Sequence, residues 1–255
     1  MGDKTKIGGY DHSVNFWIGC TKFSEGCDHC YAETMNKLYG WIPDFRKITR
    51  AKGAWEKPWT WQKQAAKKGQ VALVYGNSLS EFWHPQADKW RDEVWEIVRS
   101  TPNLLWRFQT KRPQLIAPRL PKDWGKGYPN VWLGVTVEMK KYLPRLDILC
   151  SIPAVVHLLN AEPLLEDLTP EFEDHLKGLD YVWTGGENGP NCRPFEMQWA
   201  RNLRDICKEH EIPFTFGGSG GVHRRDALID GVKYESEPRH LAAYRKQFKR
   251  ARPRR

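Results

Sequence analysis

The sequence predicts an α/β protein built on a parallel sheet of about seven strands, and three observations carry that prediction. Short apolar runs alternate with segments of helical periodicity, the pattern of repeated βα units. Polar residues collect immediately after those runs. A cysteine-rich loop also follows the first run, which puts it on the face where the other polar ends gather. In barrels of this kind the C-terminal ends of the strands carry the active site.

The first apolar run is Val14 to Ile18, and it ends at Gly19. Tyr31, Met35 and Leu38 then recur at helical spacing, so a helix is expected to begin near Cys30, where its dipole favours a thiolate. Residues 41–69 interleave Trp41, Trp55, Trp59 and Trp61 with lysines and arginines. That mixture suits a nucleic-acid contact, or an excursion whose tryptophans cover the core. Gln70 to Tyr75 is a buried strand followed by Asn77-Ser78-Leu79-Ser80-Glu81. Trp90, Val94, Ile97 and Val98 share one helix face. Leu104 to Phe108 runs into Gln109-Thr110-Lys111-Arg112, and Val131 to Val137 ends at Glu138. Ala154 to Leu159 ends in Asn160-Ala161-Glu162, and Asp180 to Thr184 in Gly185-Gly186-Glu187. Met197, Ala200, Leu203 and Cys207 mark a helix, and Ile212 to Phe216 a last strand.

At 255 residues and 40% hydrophobic, the chain can bury a large core, read as one domain over residues 1–237 and a basic tail over 238–255. Thirteen tryptophans serve that core or a stacking surface. A net charge of +9 makes an anionic partner plausible, nucleic acid or a phosphorylated cofactor. No apolar run reaches the length of a membrane span, and Met1 to Lys6 is polar, so a reducing cytoplasm is expected. Clustered cysteines there read as metal-binding or catalytic and not as disulfides.

Gly19 to Tyr31 holds Cys20, Cys27 and Cys30 in a C-x6-C-x2-C spacing, with Gly19 and Gly26 free to bend around what the sulfurs hold. Three readings stay open on spacing alone. A four-iron four-sulfur cluster on three thiolates keeps one iron free. A zinc site needs a fourth ligand, from His12 or His29. A dithiol pair at Cys27 and Cys30 leaves Cys20 without a role.

The residues also resemble a known family. Three close cysteines after a first strand in a βα-repeat chain look like the radical S-adenosylmethionine superfamily, though its common spacing is C-x3-C-x2-C. More closely, the chain resembles a phage-associated group of radical-SAM-like proteins of long-unassigned function. The likeness rests on GCTKFSEGCDHCYAE (Gly19 to Glu33), NSLSEFWH (Asn77 to His84), QTKRP (Gln109 to Pro113), WLGVTVE (Trp132 to Glu138), AEPLL (Ala161 to Leu165) and GGENGPNCRPF (Gly185 to Phe195).

The resemblance implies a partial (β/α) TIM-like barrel of six to seven parallel strands. Cys20, Cys27 and Cys30 would hold a 4Fe-4S cluster, and S-adenosyl-L-methionine would chelate the open iron. With an external electron donor, cleavage would give a 5′-deoxyadenosyl radical that abstracts a substrate hydrogen. Asn77, Ser78 and Ser80 are then expected at the cofactor's amino group, and Thr136 and Glu138 at its carboxylate or ribose. Glu162 and Glu187 would face substrate or cofactor, or serve as structural caps and ion pairs. Lys111 or Arg112 would grip a carboxylate or phosphate. Relatives are expected to carry Lys-Gln-Trp after the last strand, where this chain has Gly217-Gly218-Ser219-Gly220-Gly221. That loop is expected to receive a phosphate on its amides, or to act as a flexible lid.

The reading that results is a radical enzyme modifying or isomerising a group on a nucleic acid base, with DNA carrying an amino-acid-decorated thymine as the substrate. Repair of a base lesion, a zinc-stapled DNA-binding module without catalysis, and a thiol redox protein are the alternatives.

Overall fold

The structure is a computed structural model that describes residue 5, residues 7–221 and residues 227–249. Its strands in chain order are β1 (His12–Val14), β2 (Trp17–Ile18), β3 (Thr49–Arg50), β4 (Ala72–Gly76), β5 (Leu104–Thr110), β6 (Val131–Thr136), β7 (His157–Ala161), β8 (Tyr181–Thr184), β9 (Phe214–Phe216), β10 (Leu228–Ile229) and β11 (Val232–Lys233). The helices are α1 (Tyr31–Tyr39), α2 (Lys57–Lys68), α3 (Asp88–Ser100), α4 (Pro144–Cys150), α5 (Met197–Glu209) and α6 (Arg239–Phe248).

Seven strands form one sheet in the order β1-β4-β5-β6-β7-β8-β9, and every neighbouring pair is parallel. The sheet curls into a half-barrel, open between β1 and β9 among the described residues. This is the expected partial (β/α) barrel with seven strands.

Alternation along the strands sets up two layers. On β5, Leu104, Trp106 and Phe108 point outward and join Val94, Trp95 and Val98 of α3 in the core beneath the helices. Leu105 points inward. Arg107 and Gln109 follow on the same inner face and line a cavity. Outside the sheet Phe82 stacks on Phe108 at 3.9 Å, with Trp83 and Trp95 edge-on to the pair. Of the thirteen tryptophans, eight are buried, so most of them serve the core. In residues 41–69 the division is visible residue by residue. Trp61 of α2 is 1% exposed, whereas Trp41 and Trp59 are 37% and 38% exposed.

The apolar run Val14 to Ile18 is not one strand. Asn15 is fully buried, and its side chain accepts from Leu79 N–H and donates to Ser78 Oγ. The Phe16 N–H goes to Asn77 Oδ1. The chain therefore leaves the sheet after Val14, and Trp17 and Ile18 pair instead with Arg50 and Thr49 of β3. The stretch from Pro238 also divides. α6 folds back under the half-barrel, with Leu241 and Tyr244 buried against Leu105, Trp132, Leu158 and Tyr181. Tyr244 Oη donates to Pro102 O at 2.6 Å. Arg239, Arg245, Lys246 and Lys249 belong to this helix or its end, while Arg250, Arg252, Arg254 and Arg255 lie outside the described residues.

Leu241 is thus the plug of the barrel floor. Leu241→Ala is expected to cost about 2–5 kcal/mol and to lower the melting temperature by about 5–15 °C. A thermal melt matching the parent would show that α6 is not docked in solution.

Candidate functional site

The C-terminal ends of β4 to β8 open onto a cavity of about 510 Å³, within the size range of small-molecule and cofactor sites. Its inner wall takes Gln109 from β5, Thr136 from β6, Asn160 from β7 and Trp183 from β8. Lys111, Glu162 and Glu187 come from the segments just after β5, β7 and β8. Gly26, His29 and Cys30 of the cysteine loop form the opposite wall, as their position after the first strands predicts.

That loop is tied down along its whole length. Gly19 N–H bonds Leu79 O, and Cys20 N–H bonds Phe45 O. Arg112 donates to Thr21 O at 2.6 Å and to Thr21 Oγ1 at 2.9 Å, and its guanidinium lies 4.7 Å from the Phe23 ring. Ser24 donates to Glu138 Oε1. Glu25 takes Lys141 and the Tyr142 hydroxyl on its carboxylate, and those two bonds hold that carboxyl down at about 2. Arg193 Nη1 reaches Glu25 O at 3.0 Å. His29 Nδ1 sits 3.0 Å from Glu187 Oε2. Gly26 permits the close approach: a Cβ there would meet the Glu138 carboxyl at 3.0 Å and Lys111 Cε at 3.1 Å.

The expected helix starts where the spacing put it, with Cys30 at the N-cap of α1. Cys20, Cys27 and Cys30 are all half-buried free thiols. Burial and the Glu81 charge push the Cys20 thiol up to about 11, against the pull of Arg112, whose Nη1 is 4.0 Å from the sulfur. Among the described residues no three His, Cys, Asp or Glu side chains converge as a metal site. The donor chemistry, three soft thiols in one pinned loop, fits an iron–sulfur group; the side-chain arrangement does not itself gather the sulfurs.

The other expected site residues fall into two groups. Lys111, Thr136, Glu162 and Glu187 line the cavity. Glu162 accepts from Trp183 Nε1 at 2.5 Å and from Asn188 Nδ2 at 2.9 Å. Burial works against ionisation of Glu187, but the Arg193 side chain and backbone N–H and the His29 ring hold its pKa below the usual carboxylate value.

Asn77, Ser78, Ser80, Glu138, Arg112, Gly217, Gly218 and Ser219 are not in the cavity wall. Asn77 has φ 60° and its Nδ2 donates to Ser80 Oγ, which itself donates to Trp17 O. Ser78 accepts from Asn15 Nδ2, and its carbonyl takes the Tyr31 hydroxyl. These groups hold the turn that supports the cysteine loop. Glu138 is fully buried, bound by Ser24 and by Arg145 at 2.9 Å. Arg112 is spent on the cysteine loop and lies 3.9 Å from the buried Glu81. The Gly217 to Gly221 loop pairs with the chain after β8. Gly186 N–H bonds Gly218 O, Gly217 N–H bonds Thr184 O, and Gly221 N–H bonds Glu187 O. Two of the amides expected to bind phosphate therefore already have acceptors.

Three arginines matter that the sequence reading did not single out. Arg193 lies inside the quoted GGENGPNCRPF run. Arg107 stood in plain view as a charge at an inward position of an apolar strand. Arg145, in α4, carried no signal.

A comparison with protein families now places the chain. It belongs to the DUF5131 family, described as a protein of unknown function, whose model matches residues 4–251. No curated protein and no solved structure matches it. In this DUF5131 chain no helix among the described residues is long and apolar enough to cross a membrane.

Proposed function

We propose that this DUF5131 protein is a radical S-adenosylmethionine enzyme that modifies or isomerises a group on a nucleic acid base, an amino-acid-decorated thymine in phage DNA being the substrate class. The observation that carries the reading is the cysteine loop: it holds three free thiols in one anchored segment, and its Gly26, His29 and Cys30 wall a cavity at the C-terminal face of a parallel half-barrel. Cys20, Cys27 and Cys30 would hold the 4Fe-4S cluster. When bound and reduced by an external donor, it supplies the electron that cleaves S-adenosylmethionine, giving an oxidant strong enough for an unactivated C–H bond.

The chain's own side chains supply orientation and dryness. Tyr10, Tyr31, Tyr75 and Trp183 line the cavity with aromatic surface, which exchanges water for a flat base. Glu162, fixed by Trp183 and Asn188, presents a carboxylate that orients an N–H or ammonium of a ligand. Glu187, kept ionised by Arg193, does the same from the loop after β8. Lys111 brings a cation to the wall nearest Gly26.

Two surface features favour nucleic acid as the partner. Tyr39 and Trp41 stack at 5.3 Å on the exposed end of α1, and the net charge is +9. A base inside a duplex must be extruded to enter such a cavity, and exposed aromatic side chains suit that exchange.

The test is anaerobic reconstitution followed by incubation with S-adenosylmethionine, reductant and candidate DNAs. Brown protein that bleaches on reduction and forms 5′-deoxyadenosine only with DNA is the expected result. Colourless protein carrying one zinc would end the radical reading. Cleavage indifferent to every DNA would end its nucleic-acid half, and product analysis separates isomerisation from lesion repair.

A further inference from the structure

Arg107 sits at the centre of the inner face of β5, 4% exposed. Among the described residues no carboxylate lies within ion-pair distance of it. Its Nη2 donates to Asn160 Oδ1 at 3.0 Å, while its buried Nε has no partner. The guanidinium lies 5.4 Å from the Tyr10 ring and 5.9 Å from the Trp183 ring. A buried arginine is ordinarily paired, because an uncompensated charge away from water is costly. Here the side chain lines the large cavity and a second one of about 290 Å³ beneath it.

It is not the only incomplete group there. The described residues contain six buried side-chain polar atoms without a hydrogen-bond partner, and three of them, Tyr10 Oη, Arg107 Nε and Gln109 Oε1, belong to residues of this cavity. Such groups are rare in native proteins, and each calls for a partner, whether water, ion or ligand, or for a catalytic role. Arg107 Nε is a donor and Gln109 Oε1 an acceptor, while the Tyr10 hydroxyl, which faces the Arg107 guanidinium, can both accept from it and donate onward. Burial also pushes the Tyr10 hydroxyl well above its ordinary pKa, so it stays a neutral donor.

We propose that Arg107 is the anion-binding residue of this cavity, and that it receives the carboxylate of the substrate. The guanidinium is planar and offers paired N–H groups, which match a carboxylate two to two. Tyr10 Oη–H adds a donor to the same anion, and Gln109 Oε1 takes a neighbouring N–H. A phosphate dianion fits worse: its extra charge would face the Glu162 carboxylate, which accepts from Nε1 of Trp183 at 2.5 Å, the ring that lies 5.9 Å from the Arg107 guanidinium. The aromatic walls then select what carries the carboxylate, a flat heterocycle. The inference names the substrate chemistry of the proposed reaction but stands on the cavity's side chains alone, so it can be tested on metal-free protein and can fail separately from the radical reading.

The probe is thymin-1-ylacetic acid, with its uncharged amide as the partner probe, titrated calorimetrically into the full metal-free chain. The acid is expected to bind about 10- to 100-fold more tightly than the amide. Equal affinities would overturn the proposal with no variant needed. Arg107→Gln, checked for a parental melting temperature, should bring the acid-to-amide ratio close to one; Arg107→Lys should keep part of it. A ratio unchanged in Arg107→Gln would overturn it. S-Adenosylhomocysteine is the second arm, because its amino-acid carboxylate is the other source of the same group. Its affinity should be unaffected by Arg107→Gln. If it falls as much as that of the acid, the anion belongs to the cofactor and the assignment to substrate is wrong.

Discussion

Cys27→Ala is expected to cut bound iron from about four per chain to less than about one and to abolish S-adenosylmethionine cleavage. On the proposed reading three thiolates hold a cluster with one iron open, and two would not hold it. Cys20→Ala and Cys30→Ala should do the same. Cys150→Ala should keep its iron, since that thiol lies at the end of α4, packed against Gly178. The comparison is sharp because the Cys27 side chain makes no hydrogen bond among the described residues, and only its backbone N–H is engaged, with Ser24 O. The metal-free variant should therefore melt with the metal-free parent, and iron loss cannot be laid to unfolding. Iron and sulfide assays with the visible absorption band measure the result. Activity indifferent to Cys20→Ala, with a Cys27–Cys30 disulfide forming on mild oxidation, would favour the dithiol protein instead.

What the sequence makes legible here is periodicity and position. The alternation on β5 and the polar residues after each strand place Lys111, Thr136, Glu162 and Glu187 at one end of one sheet. The cysteine loop reaches the same end because it follows the first strand. Direction is what one dimension hides. Ser78 and Ser80 stand two and four residues past β4, as Glu187 stands three past β8, but they are spent on Asn15, Asn77 and the backbone of Trp17. A short hydroxyl next to a turn with positive φ satisfies the turn first. Arg112 likewise follows Lys111 by one residue and faces the other way, into the cysteine loop. Asn15 shows the same limit within a strand: read as part of an apolar run, it is the buried polar group that ends the strand.

Glu138 is where that distinction has its largest energetic consequence. Its carboxylate is 0% exposed and joins two segments far apart in sequence: Ser24 of the cysteine loop on one oxygen and Arg145 of α4 on the other. Arg145 Nη1 also donates to Thr136 O at 2.8 Å, and its guanidinium lies 3.8 Å from the Tyr142 ring. Removing one partner of such a pair strands a buried charge, at a cost of about 3–5 kcal/mol. Both Arg145→Met and Glu138→Gln should therefore lower the melting temperature of metal-free protein by about 6–20 °C. The double variant Glu138→Leu/Arg145→Met should recover much of the loss, because neither charge is then left alone. Ser24→Ala, which removes one tether and no charge, should cost far less. A second consequence follows from where Ser24 lies. Losing its anchor frees the segment between Cys20 and Cys27, so Glu138→Gln should also load less iron than its residual stability allows. If instead metal-free Glu138→Gln melts within about 2 °C of the parent and only its KM for S-adenosylmethionine rises, the carboxylate touches the cofactor and the tether is not its role.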